Sequence, residues 1–163
     1  MTARAILTWP DPRLSHLCDP VADLAALHNL AADMFDTLYA AQGRGLAAPQ
    51  VGVMQRVFVM DVTWKEGVKS PVVLVNPVIE WASDQVATGP EGCLSIPGIT
   101  ADVTRPTQVR MRWSDLAGDT HIEVLTGFAA TCAQHELDHL NGIVTFDRVS
   151  SDTRAVLEQE YAP

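Results

Sequence analysis

The chain lacks the features that mark several large classes of protein. Its three cysteines, Cys18, Cys93 and Cys132, are an odd number at wide spacing, which makes no disulfide framework and suits a reducing compartment. No run approaches the roughly 20 apolar residues of a membrane span. The first residues carry neither a basic segment nor an apolar signal core. The expectation is a cytoplasmic protein with no membrane association. Basic residues are also scarce: 11 Lys and Arg stand against 20 Asp and Glu, a net charge of −9, so the overall field opposes direct binding to nucleic acid. Repeats and low-complexity tracts are absent. What is present, 47% hydrophobic and 19% charged residues, is the mixture of a folded chain rather than a disordered one. With enough length to bury a core, residues 1–163 are expected to form one domain.

Trp9-Pro10-Asp11-Pro12-Arg13 opens the chain with turn chemistry. From about Asp19 to Tyr39, Val21, Leu24, Leu27, Leu30, Ala31, Met34 and Leu38 recur at helical spacing and predict an amphipathic helix. Arg56 to Asp61 reads as a strand buried on both faces, and Pro71 to Trp81 as further β structure. Gly89-Pro90-Glu91-Gly92 predicts a tight turn. Val103 to Trp113 predicts one strand, with His121 to Leu125 as its partner. A second helix is expected from Gly127 to Asn141, ended by Gly142. Short strands around two helices indicate an α+β fold.

The densest chemistry lies in Gln134-His135-Glu136-Leu137-Asp138-His139. Two imidazoles four positions apart share one helix face and can reach one metal ion. Glu136 then sits beside the metal, where a carboxylate can take a proton from water, the minimum equipment for metal-assisted hydrolysis. Asp138 points about 100° away from His139 on a helix and is read as a salt-bridge or hydrogen-bond residue. Protease families that share this motif draw a third ligand from elsewhere. No histidine follows His139, so that ligand must lie upstream, and Cys93 in Glu91-Gly92-Cys93-Leu94-Ser95 is the best candidate. A Cys-His-His set with an open fourth position has the character of a catalytic site. The plain alternatives are two surface histidines and a small buried thiol. Cys132 lies on the face of His135, lining the pocket or serving as a core thiol. His16, His28 and His121 have no motif around them and read as surface or capping residues, and the tryptophans read as packing.

Three segments in order, Gly43-Arg44-Gly45-Leu46-Ala47-Ala48-Pro49-Gln50, Glu91-Gly92-Cys93-Leu94-Ser95 and Gln134-His135-Glu136-Leu137-Asp138-His139, together resemble the peptide deformylases. Pro10-Asp11-Pro12-Arg13-Leu14 and Asn141-Gly142 extend the match. The resemblance implies an α+β peptide deformylase fold, with short, mostly antiparallel sheets around a central metal-binding helix. It implies removal of the formyl group from the N-terminal formylmethionine of newly made polypeptides, with release of formate. Cys93, His135 and His139 would hold one divalent ion, Fe2+ by resemblance, with Zn2+, Ni2+ or Co2+ suited to the same donors. Glu136 would be the general base, and the Gln50 amide and Leu94 N–H would stabilise the oxyanion. Gln50 as a mere turn cap is the plain alternative. Gly45 and Gly92 would let a peptide pair as an added strand. Glu91 and Arg105 would form an ion pair fixing the Cys93 loop.

Three departures from the family pattern carry expectations of their own. Position 44 is Arg where an aliphatic residue is usual; such a cation either reaches solvent along the cleft rim or favours an acidic group near the peptide. Phe128, Thr131 and Cys132 stand where more aliphatic bulk would shape the substrate pocket. Ser150 to Pro163 forms a short acidic tail, with Asp152, Glu158 and Glu160 against Arg154, so weak or no ribosome docking is expected. These departures keep open a deformylase-like paralogue with altered N-formyl substrate preference, and a zinc endopeptidase is the more distant reading.

Overall fold

Two antiparallel sheets and three helices make up the computed structural model, which describes residues 2–162. Met1 and Pro163, part of the expected domain and tail, lie outside the described residues. Strands β1 (Gly45–Ala47), β2 (Val57–Met60), β3 (Val72–Ala82), β6 (Gln108–Ser114) and β7 (Thr120–Thr126) form the larger sheet in the order β1-β2-β3-β6-β7. Strands β4 (Val86–Cys93) and β5 (Ile96–Pro106) form a separate hairpin. Helices α1 (Leu27–Ala40) and α2 (Gly127–Leu140) pack on opposite faces of β2.

That sandwich explains why every residue of β2 is apolar and buried. Phe58 and Met60 join the cluster under α2, with Ala130, Cys132, Ala133 and Leu140. Val57 and Val59 join Leu27, Leu30, Met34 and Leu38 of α1. Full burial of one such side chain contributes roughly 1.5–3 kcal/mol, so β2, together with neighbouring β1, helps hold both helices.

Helix α1 starts later than its apolar spacing predicts. Residues 19–23 stay outside the helix instead: Asp19 bridges to Gln55, and the Asn76 side chain brackets Val21, accepting its N–H at 2.8 Å and donating to its carbonyl at 3.0 Å. The predicted turn at Gly89-Pro90-Glu91-Gly92 is also corrected: all four residues run inside β4, opposite Val103, Asp102, Ala101 and Thr100. The chain turns only at Leu94-Ser95. The single strand predicted over Val103 to Trp113 is two strands, because the chain leaves the hairpin at Pro106 and enters the larger sheet at Gln108.

Helix α2 follows its prediction closely and ends before Gly142, whose φ of +73° favours glycine. A Cβ there would also come within 2.8 Å of the Ser15 backbone. The acidic segment expected as a tail forms helix α3 (Ser151–Tyr161), capped by the Ser150 hydroxyl. Its Leu157 packs with Leu14, Ile99 and Phe146, and the Tyr161 hydroxyl donates to the Trp9 carbonyl at 2.8 Å. Trp9, Trp64 and Trp113 pack against aromatic neighbours, whereas Trp81 is exposed beneath Arg110. His16 and His28 are exposed, and His121 stacks on Trp113 beside Asp115. No described helix is long and apolar enough to cross a membrane.

Candidate active site

Helix α2 brings His135 and His139 onto one face, and the end of β4 delivers Cys93 to meet them. The ligand atoms of these three residues lie within 4.8 Å of one another. Cys93 Sγ is 3.4 Å from His139 Nε2. His135 Nδ1 lies 3.0 Å from Glu91 Oε1; because a carboxylate only accepts, Nδ1 carries the proton and Nε2 is left as the ligand nitrogen. One thiolate and two imidazoles are a donor set suited to a divalent transition metal.

Behind the ligands runs a buried charge network. Arg105 donates through Nε to Glu91 Oε2 at 2.7 Å and through Nη2 to Oε1 at 3.0 Å, the ion pair that the family resemblance implies. Its Nη1 donates to Asp138 Oδ2 at 3.0 Å, and Arg148 engages the same carboxylate. Asp138 is thus a salt-bridge residue, and Arg148 is a supporting partner that sequence reasoning missed.

Glu136 is buried beside this set, and its Oε1 has no hydrogen-bond partner among the described residues. Burial pushes its carboxyl up to about 7, against the pull of His135 and Arg105. Burial also opposes the charging of His135, but the Glu136 charge and the bonds to Cys93 and Glu91 outweigh it and hold that imidazole well above its ordinary value. Burial, then the neighbouring His135 and Arg105 charges, hold His139 well below its own. Glu91 is drawn down to about 2 in spite of burial, because His135 and Arg105 hydrogen-bond its charged form. A carboxylate kept protonatable beside two imidazoles is placed to accept a proton and give it back.

Gln50 sits in a 3-10 turn after β1. Its Oε1 accepts the Ala47 N–H at 2.9 Å, so it does cap that turn. Its Nε2 donates to Ser95 Oγ at 3.0 Å and lies 3.9 Å from Cys93 Sγ, so the same amide also faces the metal-ligand set. Ser95, fully buried, holds the amide in place; its position in the Cys93 segment was visible in sequence, its role was not. Leu94 lies in the hairpin turn next to Cys93.

Gln50, Cys93, Leu94, His135 and Glu136 line a cleft of about 940 Å³ between edge strand β1 and the β4–β5 hairpin. Arg44, Gly45, Gly92, Phe128, Thr131 and Cys132, the expected substrate-side residues, all line it. Gly45 has a reason beyond access to a peptide: a Cβ there would lie 2.7 Å from both Cys132 Sγ and Glu136 Oε2. Gly92 faces open space, with no atom nearer than 3.9 Å to such a Cβ. Cys132 is buried, its Sγ 3.8 Å from the Arg44 carbonyl oxygen, and is both pocket lining and core thiol. Lys65 also lines the cleft, and nothing in the sequence pattern pointed to it.

A helix-borne pair of histidines, a thiolate and an adjacent buried carboxylate at the floor of a cleft define a metal-dependent hydrolase. Residues 3–155 match the family model described as polypeptide deformylase. The chain belongs to the peptide deformylase family. A peptide deformylase of Afipia carboxidovorans is 46% identical over 92% of this chain and 88% of its own length. One from Alkalilimnicola ehrlichii is 49% identical over 89% of this chain and 81% of its own. Among solved structures, the Ehrlichia chaffeensis peptide deformylase in complex with actinonin has a TM-score of 0.92 at 38% identity, covering 98% of this chain and 96% of that one. The Legionella pneumophila peptide deformylase also gives 0.92 at 38% identity, over 98% of this chain and 94% of that one.

Proposed function

We propose that this protein removes the formyl group from the N-terminal formylmethionine of newly made polypeptides and releases formate. The observation that carries the reading is Glu136, buried beside the Cys93, His135 and His139 donor set with its Oε1 unpartnered among the described residues. These three residues would hold one divalent ion, which we take to be Fe2+ by likeness to the family. When bound, such an ion supplies Lewis acidity that makes water nucleophilic near neutral pH and polarises a carbonyl. Within the protein, Glu136 Oε1 accepts the proton of the attacking water. The Gln50 Nε2, oriented by Ala47 and Ser95, and the Leu94 N–H donate to the oxyanion that develops on the formyl oxygen. Glu136 then returns its proton to the departing amine, so the products are formate and a free N-terminus.

A peptide would enter as an added strand along the free edge of β1, which reads main chain and leaves later side chains loosely specified. Helix α3 offers the ribosome little, since Arg154 is already engaged by Asp147 and Glu158 and the surrounding charges are acidic. A substrate class of newly made polypeptides and three free cysteines support a cytoplasmic location. The test is anaerobic formate release by iron- or nickel-loaded protein, comparing formyl-Met-peptides with other formyl-peptides, alongside Glu136→Ala. Release from the Met substrate that vanishes in the variant is the expected result; no release from any formyl substrate would sink the reading.

A further inference from the structure

Six charged side chains line the cleft, and four of them, Glu91, Arg105, His135 and Glu136, belong to the metal centre and its support. The other two, Arg44 and Lys65, are both cations, although the whole chain carries a net charge of −9. Arg44 immediately precedes β1, and its guanidinium carbon is 5.0 Å from the centroid of the Phe128 ring, which holds the planar group at the mouth of the cleft. Its Nη2 donates to Glu66 at 3.1 Å, but the Glu66 side chain is 62% exposed and does not line the cleft, so water screens that pair. The Arg44 Nε is buried and has no hydrogen-bond partner among the described residues. Lys65 is exposed on the same rim.

We propose that Arg44, aided by Lys65, makes the mouth of the cleft a carboxylate-binding subsite, so that the protein favours N-formyl peptides carrying a carboxylate just beyond the formylated residue. The inference rests on the deformylase reading and names a specificity within it. A peptide paired along β1 at Gly45 next passes Arg44, whose Nη1, joined by Nη2 when the solvent-screened Glu66 pair opens, can donate to a carboxylate. The guanidinium of Arg44 already rests over the Phe128 ring, so less side-chain freedom remains to be lost on binding. The carboxylate can come from an Asp or Glu side chain or from the free C-terminus of a short peptide.

Formate release by the metal-loaded full chain distinguishes these sources with four substrates: formyl-Met-Ala-Ala amide, its free acid, formyl-Met-Glu-Ala amide and formyl-Met-Lys-Ala amide. At low salt, kcat/KM for the Glu peptide should exceed that for the Lys peptide by roughly fivefold. The ratio should shrink at high salt and fall to about one in the Arg44→Met, Lys65→Met double variant, which keeps long side chains but removes both charges. A free acid faster than its amide makes the C-terminus a second source; equal rates leave the side chain as the source. Equal rates for the Glu and Lys peptides, or a preference that survives in the double variant, would overturn the proposal. The salt series tests the same charges without any substitution. Formate from the neutral peptide with no acid preference fails this inference alone, whereas no formate from any peptide fails the deformylase reading and the inference with it.

Discussion

Glu91 of β4, opposite Ala101, and Arg105 of β5, opposite Ala87, reach diagonally across the hairpin to a two-point pairing, Nε to Oε2 at 2.7 Å and Nη2 to Oε1 at 3.0 Å. The same Glu91 accepts from His135, and the same Arg105 reaches Asp138 on the next turn of α2. The pair therefore fixes the ring of one metal ligand and the hairpin that carries another.

Replacing Arg105 with Ala leaves Glu91 and Asp138 buried without their shared cation. Breaking a buried pair in this way costs roughly 3–5 kcal/mol. Loss of the support behind His135 should also weaken metal affinity by roughly 10- to 100-fold. Urea unfolding and metal content after dialysis against a chelator report the two effects separately. Unchanged stability and retention would show that the network does not support the site.

Glu136 should behave in the opposite way. Its buried Oε1 lacks a partner and burial already raises its carboxyl to about 7, so the native fold gains little from its charge. Glu136→Gln is expected to leave the thermal midpoint unchanged or raise it, while formate release falls by roughly 100-fold or more. A variant that unfolds readily yet keeps its turnover would assign Glu136 to the structure rather than to the chemistry.

The sequence was most legible where helical geometry converts spacing directly into position. His135, Glu136 and His139 could be placed on α2 because four residues make about one turn. Cys93 followed because the helix lacked a third donor. Where partners distant in sequence decide, the local pattern failed. Gly89-Pro90-Glu91-Gly92 permits a turn, but pairing with Val103, Asp102, Ala101 and Thr100 draws it into a strand, and neither glycine there takes a positive φ. Residues 19–23 have helical periodicity, but Asn76, far along the chain, takes both backbone hydrogen bonds of Val21. Ser95 and Lys65 carry no spacing signal at all, since their importance lies in what the folded chain sets beside them.

Gly45 and Gly89 make a matched pair for substitution. A Cβ at Gly45 meets Cys132 Sγ and Glu136 Oε2 at 2.7 Å, whereas one at Gly89 meets nothing within 4 Å. Gly45→Ala should cost roughly 1–3 kcal/mol of stability through overpacking and should lower kcat by displacing Glu136. Gly89→Ala should change stability by less than about 0.5 kcal/mol. Thermal melts and steady-state kinetics on both variants decide the matter; equal behaviour of the two would refute the close approach at Gly45.

Asp61 supplies a pH test away from the metal ligands. It is fully buried and accepts from the Tyr39 hydroxyl at 2.7 Å, the Ser70 N–H at 3.0 Å and the Thr63 N–H at 3.4 Å. Burial by itself would raise its carboxyl, but these donors outweigh burial and hold it below its ordinary value. A pKa depressed by folding means that the unfolded chain binds the proton more readily. The stability that Asp61 contributes is therefore complete above the unfolded value of about 4 and is lost as pH falls through the lower folded value. Asp61→Asn should destabilise the metal-free protein by roughly 1–3 kcal/mol near pH 7. The gap between variant and parent should then narrow as the pH is lowered below about 4. Urea unfolding of both proteins across that interval measures the gap, and one that stays constant or widens on acidification would show that Asp61 is not held as a carboxylate by these donors.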